Sequence, residues 1–278
     1  MNSLKRNYEL ALEALEELAQ ELTPKEDDYA LPLADPTEET DRTPPRLAAK
    51  PLSKVLNEFG TLPDGALFLG AAYDGLPILL NLNDPTPGPI LVAGDQGSGK
   101  TDLLKMIAQG VEKIHTPNEV QFGVVSSKPQ EWRGIEDNDN CMGIFPSYKD
   151  EASDFIRSLS DWAHDNRHES RFALLLIDEL ESVLDMDDDV QQSLRWLLLR
   201  GPNRRVWTFV TLDVARRERL LPWLDAFRTR LFGSVKNLSS AKAIVPMHGA
   251  DLHLLEQGKD FVLYENRQWV KFWVPAVD

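Results

Sequence analysis

The stretch Gly94-Asp95-Gln96-Gly97-Ser98-Gly99-Lys100-Thr101 constrains this chain more than any other. It matches G-x-x-x-x-G-K-[ST], a turn that functions only between a strand and a helix. Both neighbours are present: the apolar run Pro89-Ile90-Leu91-Val92-Ala93 precedes it, and Leu103-Leu104-Lys105-Met106-Ile107-Ala108 follows with helical spacing. The glycines let the backbone curl, so that amide groups from Gly94 to Thr101 and the positive end of the helix face an anion. Lys100 is expected to reach the β- and γ-phosphates of a nucleoside triphosphate, and the Thr101 hydroxyl to ligate Mg²⁺.

A second motif completes the first. Phe172-Ala173-Leu174-Leu175-Leu176-Ile177 is continuously apolar, as a strand buried on both faces must be, and it ends in Asp178-Glu179. Asp178 lies 78 residues beyond Lys100, with room between them for one strand and two helices. At the strand's carboxyl end Asp178 is expected beside the metal, and Glu179 is suited to orient and deprotonate an attacking water. The ligands expected are ATP and Mg²⁺.

The rest of the chain supplies the frame. Residues 66–72, the turn Asp74-Gly75 and residues 77–82 read as a β-hairpin ahead of the phosphate loop. Further strands are expected at 120–125, 206–211 and, short, at 230–235, with helices at 151–165 and 190–199. A closing hairpin is expected around Glu265-Asn266-Arg267-Gln268. Strands alternating with helices imply an α/β domain over 51–278, its mostly parallel sheet binding ligand at the strands' carboxyl ends. Before it, Leu4, Tyr8, Ala11, Leu15, Leu18 and Leu22 form a narrow apolar seam on a helix over 1–22. That helix either packs on its own domain or docks a protein partner or second copy. Residues 23–50, rich in proline and acid, read as an irregular linker.

Composition narrows the classes. One cysteine, Cys141, excludes an internal disulfide and a cysteine-rich metal site. His164 and His168 are four apart, but their Asp, Asn and Arg neighbours suit a solvated helix face better than zinc. No apolar run is long enough to span a membrane and the N-terminus does not read as a signal peptide, so a cytoplasmic location is expected. The net charge is −15, yet residues 195–236 hold nine arginines and one lysine against Asp213, Glu218 and Asp225. Such a segment is either a solvated face or a phosphate-contacting surface. The seven tryptophans show no stacking-platform pattern, and most are expected to pack in the core or at an interface.

Residues 89–101 (PILVAGDQGSGKT) and 174–180 (LLLIDEL) resemble the corresponding motifs of the FtsK/HerA motor ATPases. The similarity extends loosely across most of 60–275: the leading hairpin, Ser126-Ser127-Lys128 where that family has Asp-Pro-Lys, and the turn Glu256-Gln257-Gly258-Lys259 before a strand. It implies a RecA-like P-loop NTPase fold and an ATP-driven ring of identical subunits acting on double-stranded DNA. It also implies an arginine reaching a neighbour's γ-phosphate, for which Arg204 and Arg205 stand in the expected region, and it leaves Arg216, Arg217 and Arg219 for phosphate backbone or a neighbour. The chain departs from the pattern at Val210-Thr211-Leu212-Asp213, where the family usually has Ala-Thr-Gln, so Thr211 or Asp213 has to sense the γ-phosphate. The family's membrane segments and C-terminal winged helix are not seen here. Two alternatives follow: a motor moving protein, and a nucleotide-binding regulatory or scaffold subunit with weak hydrolysis or none.

Overall fold

The computed structural model describes residues 50–166, 169–245, 249–265 and 267–278, all within one unit, Leu47–Asp278. The expected N-terminal helix, nearly all of the acidic linker, His168 and Asn266 lie outside the described residues.

The elements run α1 (Leu52–Phe59), β1 (Ala66–Ala72), β2 (Pro77–Asn81), β3 (Ile90–Gly94), α2 (Lys100–Ile114), β4 (Val120–Ser126) and β5 (Cys141–Pro146). They continue as α3 (Asp150–Asp165), β6 (Phe172–Asp178), α4 (Glu181–Leu184), α5 (Asp188–Arg200), β7 (Val206–Asp213) and α6 (Leu221–Leu224). Finally come β8 (Thr229–Phe232), α7 (Leu238–Ile244), β9 (Asp260–Glu265) and β10 (Gln268–Trp273). One ten-stranded sheet joins the strands in the order β2-β1-β10-β9-β8-β3-β7-β6-β4-β5. From β8 to β5 every pairing is parallel, and from β8 back to β2 every pairing is antiparallel.

The parallel half explains the apolar runs. Strands β3 and β6 are buried at every position, and β7 at all but the last, because helices cover both faces. Alternate residues go to opposite cores. Val92, Leu174 and Leu176 pack with Leu103, Met106 and Ile107 of α2 and with Leu52 and Val55 of α1. Leu91, Leu175 and Ile177 pack with α3, α5, α6 and α7. The result is three layers, helix on sheet on helix. Trp132, Trp207 and Trp223 are fully or almost fully buried, as core tryptophans.

The register matters most for function. Strand β7 inserts between β3 and β6, pairing Gly94 with Asp213 on one side and Ile177 with Val210 on the other. On the far side of β6, Asp178 pairs with Ser126 of β4. The carboxyl ends of four strands therefore stand in a row, carrying the phosphate loop, Thr211, Asp178-Glu179 and Ser126-Ser127. Both expected hairpins form, β1–β2 and β9–β10, with Gln268 opposite Glu265. The structure also contains elements the sequence reading lacked: α1, α7 and the edge strand β5, half-buried along its whole length.

Candidate functional site

The phosphate loop runs from the last residue of β3 into α2. Its glycines are dictated by geometry at two positions. Gly99 has φ 92°, and a Cβ there would sit 3.0 Å from the Cα of Gly258, a backbone atom with no means of yielding. At Gly94 a Cβ would meet the buried Ser98 Oγ at 2.4 Å. The loop is braced from outside: Asp95 N–H donates to the Ser234 carbonyl, Lys236 N–H to the Asp95 carboxylate, and the Gln257 amide to the Gln96 carbonyl. Gly99→Ala is expected to strain the loop by about 1–2 kcal/mol. That lowers the melting temperature by roughly 2–8 °C. Relief of the strain by loop movement weakens triphosphate binding about tenfold. Thermal melts and nucleotide titration read both effects.

Lys100 begins α2 and its amino group donates to the carbonyls of Gly94 and Asp95 at 3.0 and 2.8 Å. Burial holds its pKa below the usual lysine value, against the opposing pull of Asp213, Asp178, Glu181 and Asp95. An ammonium surrounded by the loop's own oxygens is poised to exchange them for phosphate oxygens.

Thr101, Asp178, Thr211 and Glu179 form one network. The Thr101 hydroxyl donates to both Asp178 oxygens, at 3.0 and 3.2 Å, and the Thr211 hydroxyl donates to Asp178 Oδ1 at 3.0 Å. Burial pushes the Asp178 carboxyl above its ordinary pKa, opposed by those two hydroxyls. Thr211 Oγ1 also accepts the Glu179 backbone N–H at 2.7 Å. Glu179 takes φ 77°, a conformation rare for a residue with a Cβ, and its turn out of the strand end aims the side chain away from the core. Its carboxylate accepts from Ser127 Oγ at 2.7 Å and pairs with Lys128 Nζ at 3.4 Å. Partial burial raises its pKa, but those two partners together with Arg216 outweigh it and hold the group below the ordinary value, charged and able to take a proton.

The donor set fits Mg²⁺. Thr101 and Asp178 offer one hydroxyl and one carboxylate, all oxygen, which suits an ion that completes its shell with phosphate and water. Among the described residues no group of three or more His, Cys, Asp or Glu side chains forms a protein-only metal cage.

These side chains line a cleft of about 290 Å³ that also includes Glu181 and Arg216. Glu179, Glu181 and Arg216 are shared with an adjoining, more open chamber of about 900 Å³. Ser127, Glu181 and Arg216 are the site residues that sequence reading did not single out for the chemistry. Ser127 and Lys128 were visible as a loose match beside the second strand, and Arg216 as one of three arginines past the strand end left for phosphate backbone or a neighbour, whereas Glu181 gave no signal. Asp213 reaches the cleft as well, so both residues considered in place of the family glutamine line it. Arg204 and Arg205 do not come to the cleft in this chain. They lie at the opposite, amino-terminal edge of β6 and β7, where Arg204 donates to the Asn166 carbonyl, Arg205 donates to that of Ser170, and Arg205 stacks over Phe172.

No protein-family model and no curated protein sequence matches the chain. Solved structures do. The cytoplasmic domain of the Thermomonospora curvata type VII secretion ATPase EccC superposes with a TM-score of 0.64 at 17% identity, over 83% of this chain and 28% of that one. EssC (ATPases 2 and 3) from Geobacillus thermodenitrificans also gives 0.64, at 12% identity, over 84% of this chain and 48% of that one. The pCW3 conjugation coupling protein TcpA, in its monomer form with ATPγS, gives 0.61 at 17% identity, over 80% and 69%. This chain spans less than half the length of the first two proteins. At these identities the likeness is one of fold: the chain has the P-loop ATPase fold expected from its resemblance to the FtsK/HerA motors. Among the described residues no helix is long and apolar enough to cross a membrane.

Proposed function

We propose that this chain is a Mg²⁺-dependent ATPase whose hydrolysis drives a motor, with residues 51–278 as the catalytic domain. The observation that carries the reading is the continuous network Thr101–Asp178–Thr211–Glu179 beside Lys100. Lys100 and the loop amides hold the triphosphate. Thr101 and Asp178 hold Mg²⁺, which when bound neutralises charge on the β- and γ-phosphate oxygens. Glu179 takes a proton from a water whose oxygen forms the new bond to the γ-phosphorus. The bond from that phosphorus to the β–γ bridging oxygen breaks, and ADP leaves with the electron pair. Thr211 keeps the metal ligand and the base in register.

Double-stranded DNA is the cargo favoured by the sequence resemblance, and a ring of identical subunits the assembly, with Arg204 or Arg205 serving a neighbour's nucleotide. One observation favours polypeptide as a second reading. About half of the basic segment's arginines are engaged within the chain: Arg195 stacks on Trp223, while Arg204, Arg205, Arg217 and Arg230 bond to carbonyls of their own chain. Phosphate release measured with and without double-stranded DNA separates the readings. The DNA motor predicts stimulation that falls steeply as salt rises, because binding releases counterions. Stimulation by an unfolded polypeptide, and none by DNA, selects the second reading. Triphosphate binding without turnover under either polymer selects a nucleotide-binding regulator and overturns the motor.

A further inference from the structure

Four cations line the nucleotide cleft: Lys100, Lys105, Lys128 and Arg216. Lys100 is bonded to the phosphate loop and Lys128 to Glu179. Lys105 sits half-buried in the second turn of α2, without a hydrogen bond or ion pair among the described residues. Arg216 is exposed, and its guanidinium also has no hydrogen bond or ion pair among the described residues. It differs from Lys105 in lining both the nucleotide cleft and the adjoining chamber.

Its backbone, by contrast, is tightly held. Arg216 belongs to a short 3₁₀ turn, Val214–Leu220, that leaves β7 directly after Asp213. The Asp213 carboxylate caps that turn by accepting Ala215 N–H at 3.0 Å. Val214 and Leu220 are fully buried at its two ends. Arg217 donates to the Val214 carbonyl, and Arg219 pairs with Asp185 across the chamber. Because β7 lies between β3 and β6, a turn leaving its carboxyl end faces the gap between the phosphate loop and Glu179. That gap is where the γ-phosphate of a bound triphosphate has to lie.

A second observation marks the same spot. Glu181 is 6% exposed, and neither of its carboxylate oxygens has a hydrogen-bond partner among the described residues. A buried carboxylate without a partner is costly. The Arg216 charge bears on Glu181, as the Lys100 charge does, and it bears on Glu179 together with Lys128. Arg216 therefore lines one cleft with the carboxylates of its own chain and with Lys100, the residue expected at the γ-phosphate.

We propose that Arg216 is the γ-phosphate-reading residue of this chain, acting on the nucleotide of its own subunit and taking the place of the glutamine that the strand end lacks. Glu181 is its resting counter-charge. The inference rests on the ATPase reading above. A planar guanidinium bonds two phosphate oxygens at once, so the contact discriminates triphosphate from diphosphate.

The experiment compares AMPPNP and ADP binding, with Mg²⁺, by calorimetry on the full chain. Arg216→Ala is expected to weaken AMPPNP about ten- to hundredfold, the loss of a hydrogen bond to a charged group. ADP affinity should stay within about threefold, because no γ-phosphate is present to lose the contact. Arg216→Lys should recover part of the loss, since it keeps the charge without the fork. Mixing settles whose nucleotide is read: Arg216→Ala chains combined with Glu179→Gln chains should stay inactive, each lacking one of its own groups. Restored hydrolysis would place Arg216 in a neighbour's site and overturn the proposal, as would equal weakening of AMPPNP and ADP or no weakening at all. Failure of the wild-type chain to bind AMPPNP is a separate result, and it overturns the nucleotide reading itself.

Discussion

Glu179→Gln is expected to bind ATP and Mg²⁺ like the wild type while turnover falls by roughly 10²–10⁴. The backbone N–H of Glu179, not its side chain, makes the bond to Thr211, so the substitution leaves the Thr211–Asp178–Thr101 network in place. An amide accepts a hydrogen bond from Ser127 as a carboxylate does, but it has no basic oxygen for the proton of the attacking water. Single-turnover phosphate release beside equilibrium nucleotide binding reads the two properties separately. Unchanged turnover would falsify the assignment of the base. If the active form is a ring, the trapped ATP state should also accumulate as oligomer by light scattering, with arginine bridging a subunit boundary.

Lys100→Ala is the second large effect. Its ammonium is expected to make two or more charge-assisted contacts to phosphate, and losing them weakens triphosphate binding by about 10²-fold or more. The fold should persist. Among the described residues the amino group bonds only to two carbonyls of the loop, and the apolar face of α2 from Leu103 to Val111 carries the packing. Circular dichroism and a melt within a few degrees of wild type, together with absent ATP binding, are the expected pair of results. Tight binding by the variant would remove Lys100 from the phosphate site.

The parts of the site legible in the sequence are those whose geometry is local. Strand β3, the loop and α2 announce themselves because a loop bent this tightly needs glycine at fixed spacing. Strand β6 is legible because burial on both faces leaves six apolar residues in a row before Asp178. Strand β5 is not legible: half-buried at the sheet edge and containing Gly143 and Pro146, it has neither alternation nor a continuous apolar run. Pairing is the other hidden quantity. The insertion of β7 between β3 and β6 pairs Gly94 with Asp213, 119 positions apart, and brings Thr211 beside Asp178, 33 positions away, and periodicity holds no record of either. For that reason Thr211 could be named only as one of two candidates near the γ-phosphate, while its bonds to Asp178 and Glu179 came from the register. The same holds for Arg216, one arginine among nine in a basic segment until the turn after β7 sets its position.

Thr211 carries a consequence of its own. One oxygen donates to the Asp178 carboxylate and accepts from the backbone N–H of Glu179. Under the proposed mechanism a change at this position disturbs the metal ligand and the base together, although Thr101 still holds Asp178. Valine would match the shape and break both at once, whereas serine would keep the oxygen. If the proposed ATPase reading holds, a descendant of this chain has a one-residue route in the middle strand to giving up hydrolysis with its core packing intact.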